Sequence, residues 1–115
     1  MVERAGVVDD TEEMDQDLIV DYAARLFKVL GSTSRLRLML EIRRDPATVS
    51  ALVEATGMSQ PLVSQHLRML REAKLVRGVR HGREMYYEVA DLHVIHLIED
   101  ALEHVAEASG GDAVG

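Results

Sequence analysis

Between residues 48 and 73, apolar side chains recur at helical spacing on both sides of a break of only three residues, Gly57-Met58-Ser59. Thr48 can start the first segment, whose apolar set is Val49, Leu52 and Val53, and Gly57 stands where a helix commonly ends. Ser59 can cap the second segment, with Pro61 in the first turn, where a missing N–H costs nothing. Leu62, Val63, Leu67, Met69 and Leu70 line that segment to about Ala73. A link this short restricts how the two helices can cross, which is the helix-turn-helix arrangement. In its DNA-binding form the second helix enters the major groove. The polar residues available there are Ser59, Gln60, Ser64, Gln65, His66 and Arg68, with Arg71 one turn on. Serine and glutamine suit base edges, and arginine suits phosphate or guanine. A helical hairpin with a solvated polar face has the same spacing, so this segment alone leaves both readings open.

The flanking sequence extends the pattern. From Asp17, the residues Leu18, Ile19, Tyr22, Ala23, Leu26, Phe27 and Leu30 follow a helical period that stops at Gly31. Ser32 or Thr33 can cap a second helix carrying Leu36, Leu38, Met39, Leu40 and Ile42, and Asp45-Pro46 ends it. After Ala73, residues 75–80 and 85–89 read as two strands with His81-Gly82-Arg83 between them. Asp91 can cap a last helix running to about Ala108. The expected order is four helices, a hairpin and a final helix, within one domain spanning residues 15–108. Residues 1–14 read as a disordered acidic arm and 109–115 as a flexible tail. The chain contains no cysteine, which excludes disulfides, thiolate metal sites and cysteine nucleophiles. No apolar run approaches the roughly 18 residues that span a bilayer, and a cytoplasmic protein is expected.

Charge is segregated. The net charge is −7, yet residues 1–17 hold seven acids against one base, and residues 91–115 hold six acids and no base. The middle is basic: residues 18–57 carry six bases against four acids, and residues 58–90 carry six against three. A basic centre between acidic ends is compatible with a nucleic-acid surface that the whole-chain charge conceals. Arg80, His81 and Arg83 surround the hairpin's glycine tip, where they could reach the DNA backbone or minor groove. No nucleophile or acid–base pair suggests an enzyme.

Three stretches carry a resemblance: Gly31-Ser-Thr-Ser-Arg-Leu-Arg-Leu, Ser59-Gln-Pro-Leu-Val-Ser-Gln-His-Leu-Arg-Met-Leu-Arg and Gly82-Arg-Glu-Met-Tyr-Tyr. Together they resemble the ArsR/SmtB family of bacterial winged-helix repressors, over about Tyr22 to Glu107. The resemblance implies a mainly α winged helix-turn-helix, a homodimer formed through the first and last helices, binding to double-stranded operator DNA, and repression relieved by a metal ion.

The last helix has a pattern of its own. At 100° per residue, His93, His96, Asp100, His104 and Glu107 fall in one stripe, while Val94, Leu97, Ile98, Ala101, Leu102 and Val105 fall on the other side. His93 and His104 are separated by about 16 Å along a helix, too far for one zinc ion with bonds near 2 Å. If two copies of this helix pair antiparallel, Asp91 and His93 of one lie opposite His104 and Glu107 of the other. Symmetry then makes two identical sites, each with two imidazoles and two carboxylates. By resemblance, Asp91, His93, His104 and Glu107 are the metal ligands and Zn(II) is the regulatory ion. The Cys-x-Cys site of other family members is replaced here by Thr48-Val-Ser-Ala-Leu. His96 is either a spare ligand or a surface residue near Asp100. The residues leave open a family member whose inducer is nickel, cobalt or not a metal, and a winged helix that binds protein.

Overall fold

The computed structural model describes residues 15–112. Its elements are α1 (Gln16–Leu30), α2 (Thr33–Arg44), α3 (Val49–Thr56), α4 (Gln60–Glu72), β1 (Val76–His81), β2 (Glu84–Val89) and α5 (Leu92–Asp112). The acidic stretch 1–14 and the last three residues lie outside the described residues. The final helix runs four residues past the expected end at Ala108, through Gly110 and Gly111. Glycine weakens a helix interior by about 1 kcal/mol but does not by itself terminate one.

Side-chain caps set three of the helix starts. Ser32 Oγ accepts from the Arg35 amide at 3.2 Å, Thr48 Oγ1 from Ala51 at 3.1 Å and Ser59 Oγ from Leu62 at 3.3 Å. Each satisfies one amide that has no partner inside its helix. The turn between α3 and α4 depends on Gly57, whose φ of 76° is left-handed, with its N–H donating to Val53 O at 2.8 Å. A Cβ there would meet nothing within 4 Å, so glycine is required for its backbone conformation and not for space.

The end of α4 is less expected. Leu75 N donates to Leu70 O and Lys74 N donates to Arg71 O, both at 2.9 Å. These are the paired bonds of a Schellman motif, and its left-handed position is held by Lys74, with φ 64°. The turn throws the chain directly into β1. There the strands pair antiparallel from Val76↔Val89 to His81↔Glu84. Gly78 faces Met85 and Tyr87 of β2; a Cβ at this position would sit 2.8 Å from Met85 Sδ. The wing is tied back to the helices by Ala47, which exchanges both backbone hydrogen bonds with Tyr87 at 3.0 and 2.8 Å.

The core is aliphatic apart from Met39. Leu38, Met39 and Ile42 of α2 pack with Leu52 of α3, Val63, Leu67 and Leu70 of α4, Leu75 and Val76 at the wing, and Val94, Ile95 and Ile98 of α5. Two residues expected in this core are not in it: Leu62 is 37% exposed and Met69 38%. The buried stripe of α4 is the i, i+4, i+7 set of Val63, Leu67 and Leu70, and Leu62 and Met69 lie together on its flank. In α1, of the apolar residues expected at helical spacing, only Leu30 is buried, while Leu18, Tyr22 and Phe27 are exposed.

Two stability effects are expected. Leu38, fully buried, should cost about 2–5 kcal/mol when changed to alanine. Lys74→Gly should instead stabilise by up to about 1 kcal/mol, because it removes the side-chain penalty at a left-handed position. Denaturant titration of both variants checks the two signs.

Candidate DNA interface and metal-binding helix

Helix α4 presents Ser59, Gln60, Ser64, Gln65, Arg68 and Arg71 as exposed residues on the sides away from its buried stripe. His66 was expected among them and departs from that reading. It is partly buried, with its Nδ1 3.4 Å from Arg35 Nη1 at the start of α2. The ring sits on the same flank as Leu62 and Met69. Burial, and then the adjacent Arg35 charge, hold its pKa below the ordinary histidine value.

In the wing, Arg80, His81 and Arg83 are exposed around the tip. Gly82 takes a φ of 65° at the first central position of the turn, which a two-residue hairpin loop with positive φ demands. Arg80 Nη1 donates to Arg83 O at 3.5 Å, and the His81 ring meets Tyr86 edge to face at 5.2 Å. Further down the strands, Arg77 Nε donates to Glu88 Oε2 at 2.6 Å, so its charge is locally compensated.

Helix α5 has three kinds of surface. Val94, Ile95 and Ile98 are buried in the core; Ile95 was missed in the sequence because it falls between the apolar and polar stripes. Leu102 and Val105 are 42% and 58% exposed and continue the apolar side beyond the protomer's own core. Together with Phe27, Leu30 and Leu36, residues Leu97, Ala101 and Leu102 line an apolar groove where α1, α2 and α5 meet. His93, His96, Asp100, His104 and Glu107 are all exposed. Glu99 forms an ion pair with Arg43 that ties α5 to α2.

Of the four expected ligands, Asp91 and His93 come together within the protomer. Asp91 Oδ1 accepts from the His93 amide at 2.9 Å and lies 3.2 Å from His93 Nδ1, whose side chain is fully exposed. His104 and Glu107 lie further along α5. Among the described residues of one protomer, no three His, Cys, Asp or Glu side chains are grouped closely enough to hold a metal ion. The donor set nevertheless fits a borderline divalent ion, since imidazole and carboxylate together are suitable for zinc.

The model described as "Bacterial regulatory protein, arsR family" matches residues 32–77, from the cap of α2 into β1. The "HTH-type transcriptional regulator NmtR" of Mycobacterium tuberculosis is 41% identical over 81 residues, covering 70% of this chain and 68% of that protein. The chain belongs to the arsR family of bacterial regulatory proteins. The "HTH-type transcriptional repressor SmtB" of the same organism is 42% identical over 89 residues, which is 77% of this chain. The chain spans 66% of that relative's length, just under two thirds. The winged helix-turn-helix fold is matched by a homodimeric DNA-binding domain from Mycobacterium bovis, a possible ArsR-family regulator. That domain is 30% identical, with a TM-score of 0.69, and the match covers 84% of this chain and 88% of that one. These relatives are transcriptional regulators and not enzymes. No described helix is long and apolar enough to cross a membrane.

Arg35 belongs to the Gly31–Leu38 stretch that carries the resemblance, but the sequence assigns it no packing role. Its Nε donates to Val29 O at 2.6 Å and its Nη1 to Met69 Sδ at 3.1 Å, in addition to the His66 contact. No periodicity singles out this arginine; its role comes from three helices meeting around it. Asp91 also has a second role. Its hydrogen bond to the His93 amide caps α5, so Asp91→Ala should lower stability by about 1 kcal/mol in chelated protein, with Asp91→Asn closer to wild type. Thermal melts in chelator separate this effect from any loss of ligation.

Proposed function

We propose that the chain is a metal-responsive transcriptional repressor that binds operator DNA as a homodimer and is released by Zn(II). In this reading Ser59, Gln60, Ser64, Gln65, Arg68 and Arg71 meet the major groove, and Arg80, His81 and Arg83 of the wing meet the backbone or minor groove. The exposed apolar residues of α1 and α5, Phe27 and Leu102 among them, are covered by a second copy. The metal ligands are Asp91 and His93 of one protomer with His104 and Glu107 of the partner subunit.

One observation carries the metal reading: Asp91 and His93 are paired at the start of α5 with the His93 side chain fully exposed, on a helix whose apolar side continues past the protomer's own core at Leu102 and Val105. Half a ligand set on the same helix as an uncovered apolar side suits a site completed by symmetry. Held by Asp91 and His93 with His104 and Glu107 of the partner subunit, zinc would supply coordinate bonds linking the two copies of α5. The chain's own residues supply the rest. The apolar side of α5 sets how the copies pack, and the Arg43–Glu99 pair holds α5 to the helices that carry α4. For the metal to convert a bound population of 99:1 into 1:99, it must favour the weak-binding geometry by about 5.5 kcal/mol.

The test is fluorescence anisotropy on duplex DNA from upstream of its own gene. Chelated protein should bind, and zinc added to about one ion per subunit should release it; tight binding that zinc leaves unchanged sinks the metal half of the reading. His104→Ala should retain DNA binding and lose the zinc response. The affinity should also fall steeply with salt. If Arg68, Arg71, Arg80 and Arg83 each meet a phosphate, a slope of roughly −3.6 per protomer in log K against log salt follows, and each arginine removed should reduce it by about one. A slope near zero contradicts the assigned surface.

A further inference from the structure

The meeting point of Arg35, His66 and Met69 lies behind the recognition surface and is not used by the contacts proposed above. Arg35 sits in the first turn of α2. One guanidinium nitrogen holds the carbonyl of Val29, in the last turn of α1, at 2.6 Å. Another reaches across to α4, where it meets His66 Nδ1 at 3.4 Å and Met69 Sδ at 3.1 Å. One side chain thus touches the ends of α1 and α2 and the middle of α4. A guanidinium can only donate hydrogen bonds, so His66 Nδ1 must be the acceptor, which requires a neutral ring carrying its proton on Nε2.

The surroundings offer a charged ring no protein acceptor in place of Arg35 among the described residues. His66 meets the Arg35 cation of α2, and Arg35 is itself held by the Val29 carbonyl of α1 and the Met69 thioether of α4. No acidic side chain among the described residues makes a hydrogen bond or ion pair with His66 to balance a second positive charge. Burial and the Arg35 charge both act against the protonated form. Because the folded protein resists this protonation more than the unfolded chain does, stability contributed here is present at neutral pH and lost as pH falls below the ordinary histidine range.

We propose that Arg35 is a positioning residue for DNA binding: it clamps the end of α1 to the recognition helix α4 with neutral His66 as acceptor, so that protonating His66 opens the clamp and loosens α4. The proposal rests on the DNA-binding reading above. It makes Arg35 and His66 residues that act through the pose of α4 and not by touching DNA. It also ties α4 to α1, a helix whose Leu18, Tyr22 and Phe27 face outward, so a change in what covers α1 reaches α4 through one guanidinium.

The experiment compares full-length, chelated wild type with His66→Gln, Arg35→Lys and Arg35→Met on the same duplex by anisotropy. Affinities are read at about pH 7.5 and about pH 5.5, on either side of the ordinary histidine range. Glutamine offers Arg35 an acceptor that does not titrate. His81, His93, His96 and His104 are present in every protein, so their effects cancel when the pH ratios are compared. The wild type should lose about fivefold more affinity on acidification than His66→Gln. Arg35→Met should bind about tenfold more weakly at neutral pH and lose the extra acid sensitivity, and Arg35→Lys should recover only part of the neutral binding, having no planar fork. Parallel pH profiles for wild type and His66→Gln overturn the proposal, as does Arg35→Met binding like wild type. If wild type shows no salt-sensitive DNA binding at all, it is the DNA reading that has failed. Amide exchange in α4 then decides the clamp separately: faster at acid pH in wild type than in His66→Gln supports it, and equal rates overturn it.

Discussion

The packing of Leu38, Met39 and Ile42 against Leu52, Val63, Leu67 and Leu70 is the interaction on which the other features depend. It joins α2, α3 and α4 into one body, and each of the seven side chains is at least 98% buried. The α3–α4 turn limits the crossing angle of its two helices, but a turn of three residues cannot hold that angle without this contact. Because Val63, Leu67 and Leu70 form one narrow stripe along α4, more than half of the helix circumference is left free to carry polar groups. The wing is held to the same body through Ala47 and Tyr87, so the two surfaces that would address DNA are parts of a single rigid unit.

The sequence was most legible where structure is local. Ser59, Thr48 and Gly57 announced the helix-turn-helix because capping and left-handed termination depend on one or two residues each. The hairpin was readable from its glycine tip. Legibility failed where a residue's environment is made by distant parts of the chain. Leu62 and Met69 look like core residues because they are apolar and close to the helical period, but they lie on a flank that the protomer covers only in part, by Arg35 among others. His66 looks like its exposed neighbours Gln65 and Arg68 until Arg35, 31 positions earlier, is brought beside it. Lys74 in a left-handed turn was equally hidden, since glycine is the residue a Schellman motif favours.

For the proposed site the division is similar. The order of donors along α5 was readable, and so was the impossibility of one chain closing a metal site around His93 and His104. Asp91 as the cap of α5 was readable too, but the approach of its carboxylate to the His93 ring was not, because that depends on side-chain geometry. If Asp91 is both cap and ligand, the start of α5 is linked to the ligand set, and the geometry of the helix terminus and the position of a donor would not vary independently.

A helix that rises about 1.5 Å per residue separates donors eleven positions apart by more than any single ion can bridge. Placing half the ligands at each end of the same helix therefore makes metal binding depend on how two copies are arranged, provided they pair in opposite directions. A site contained in one chain could fill without altering that arrangement. A site divided between chains cannot, since every ligand bond is also a restraint on the relative positions of the two copies. The same helix is attached to the body that carries α4 by buried Val94, Ile95 and Ile98 and by the Arg43–Glu99 pair. In the proposed dimer a restraint between two such helices would thus restrain the distance and angle between the two copies of α4, and half-site spacing on DNA would be sensitive to both.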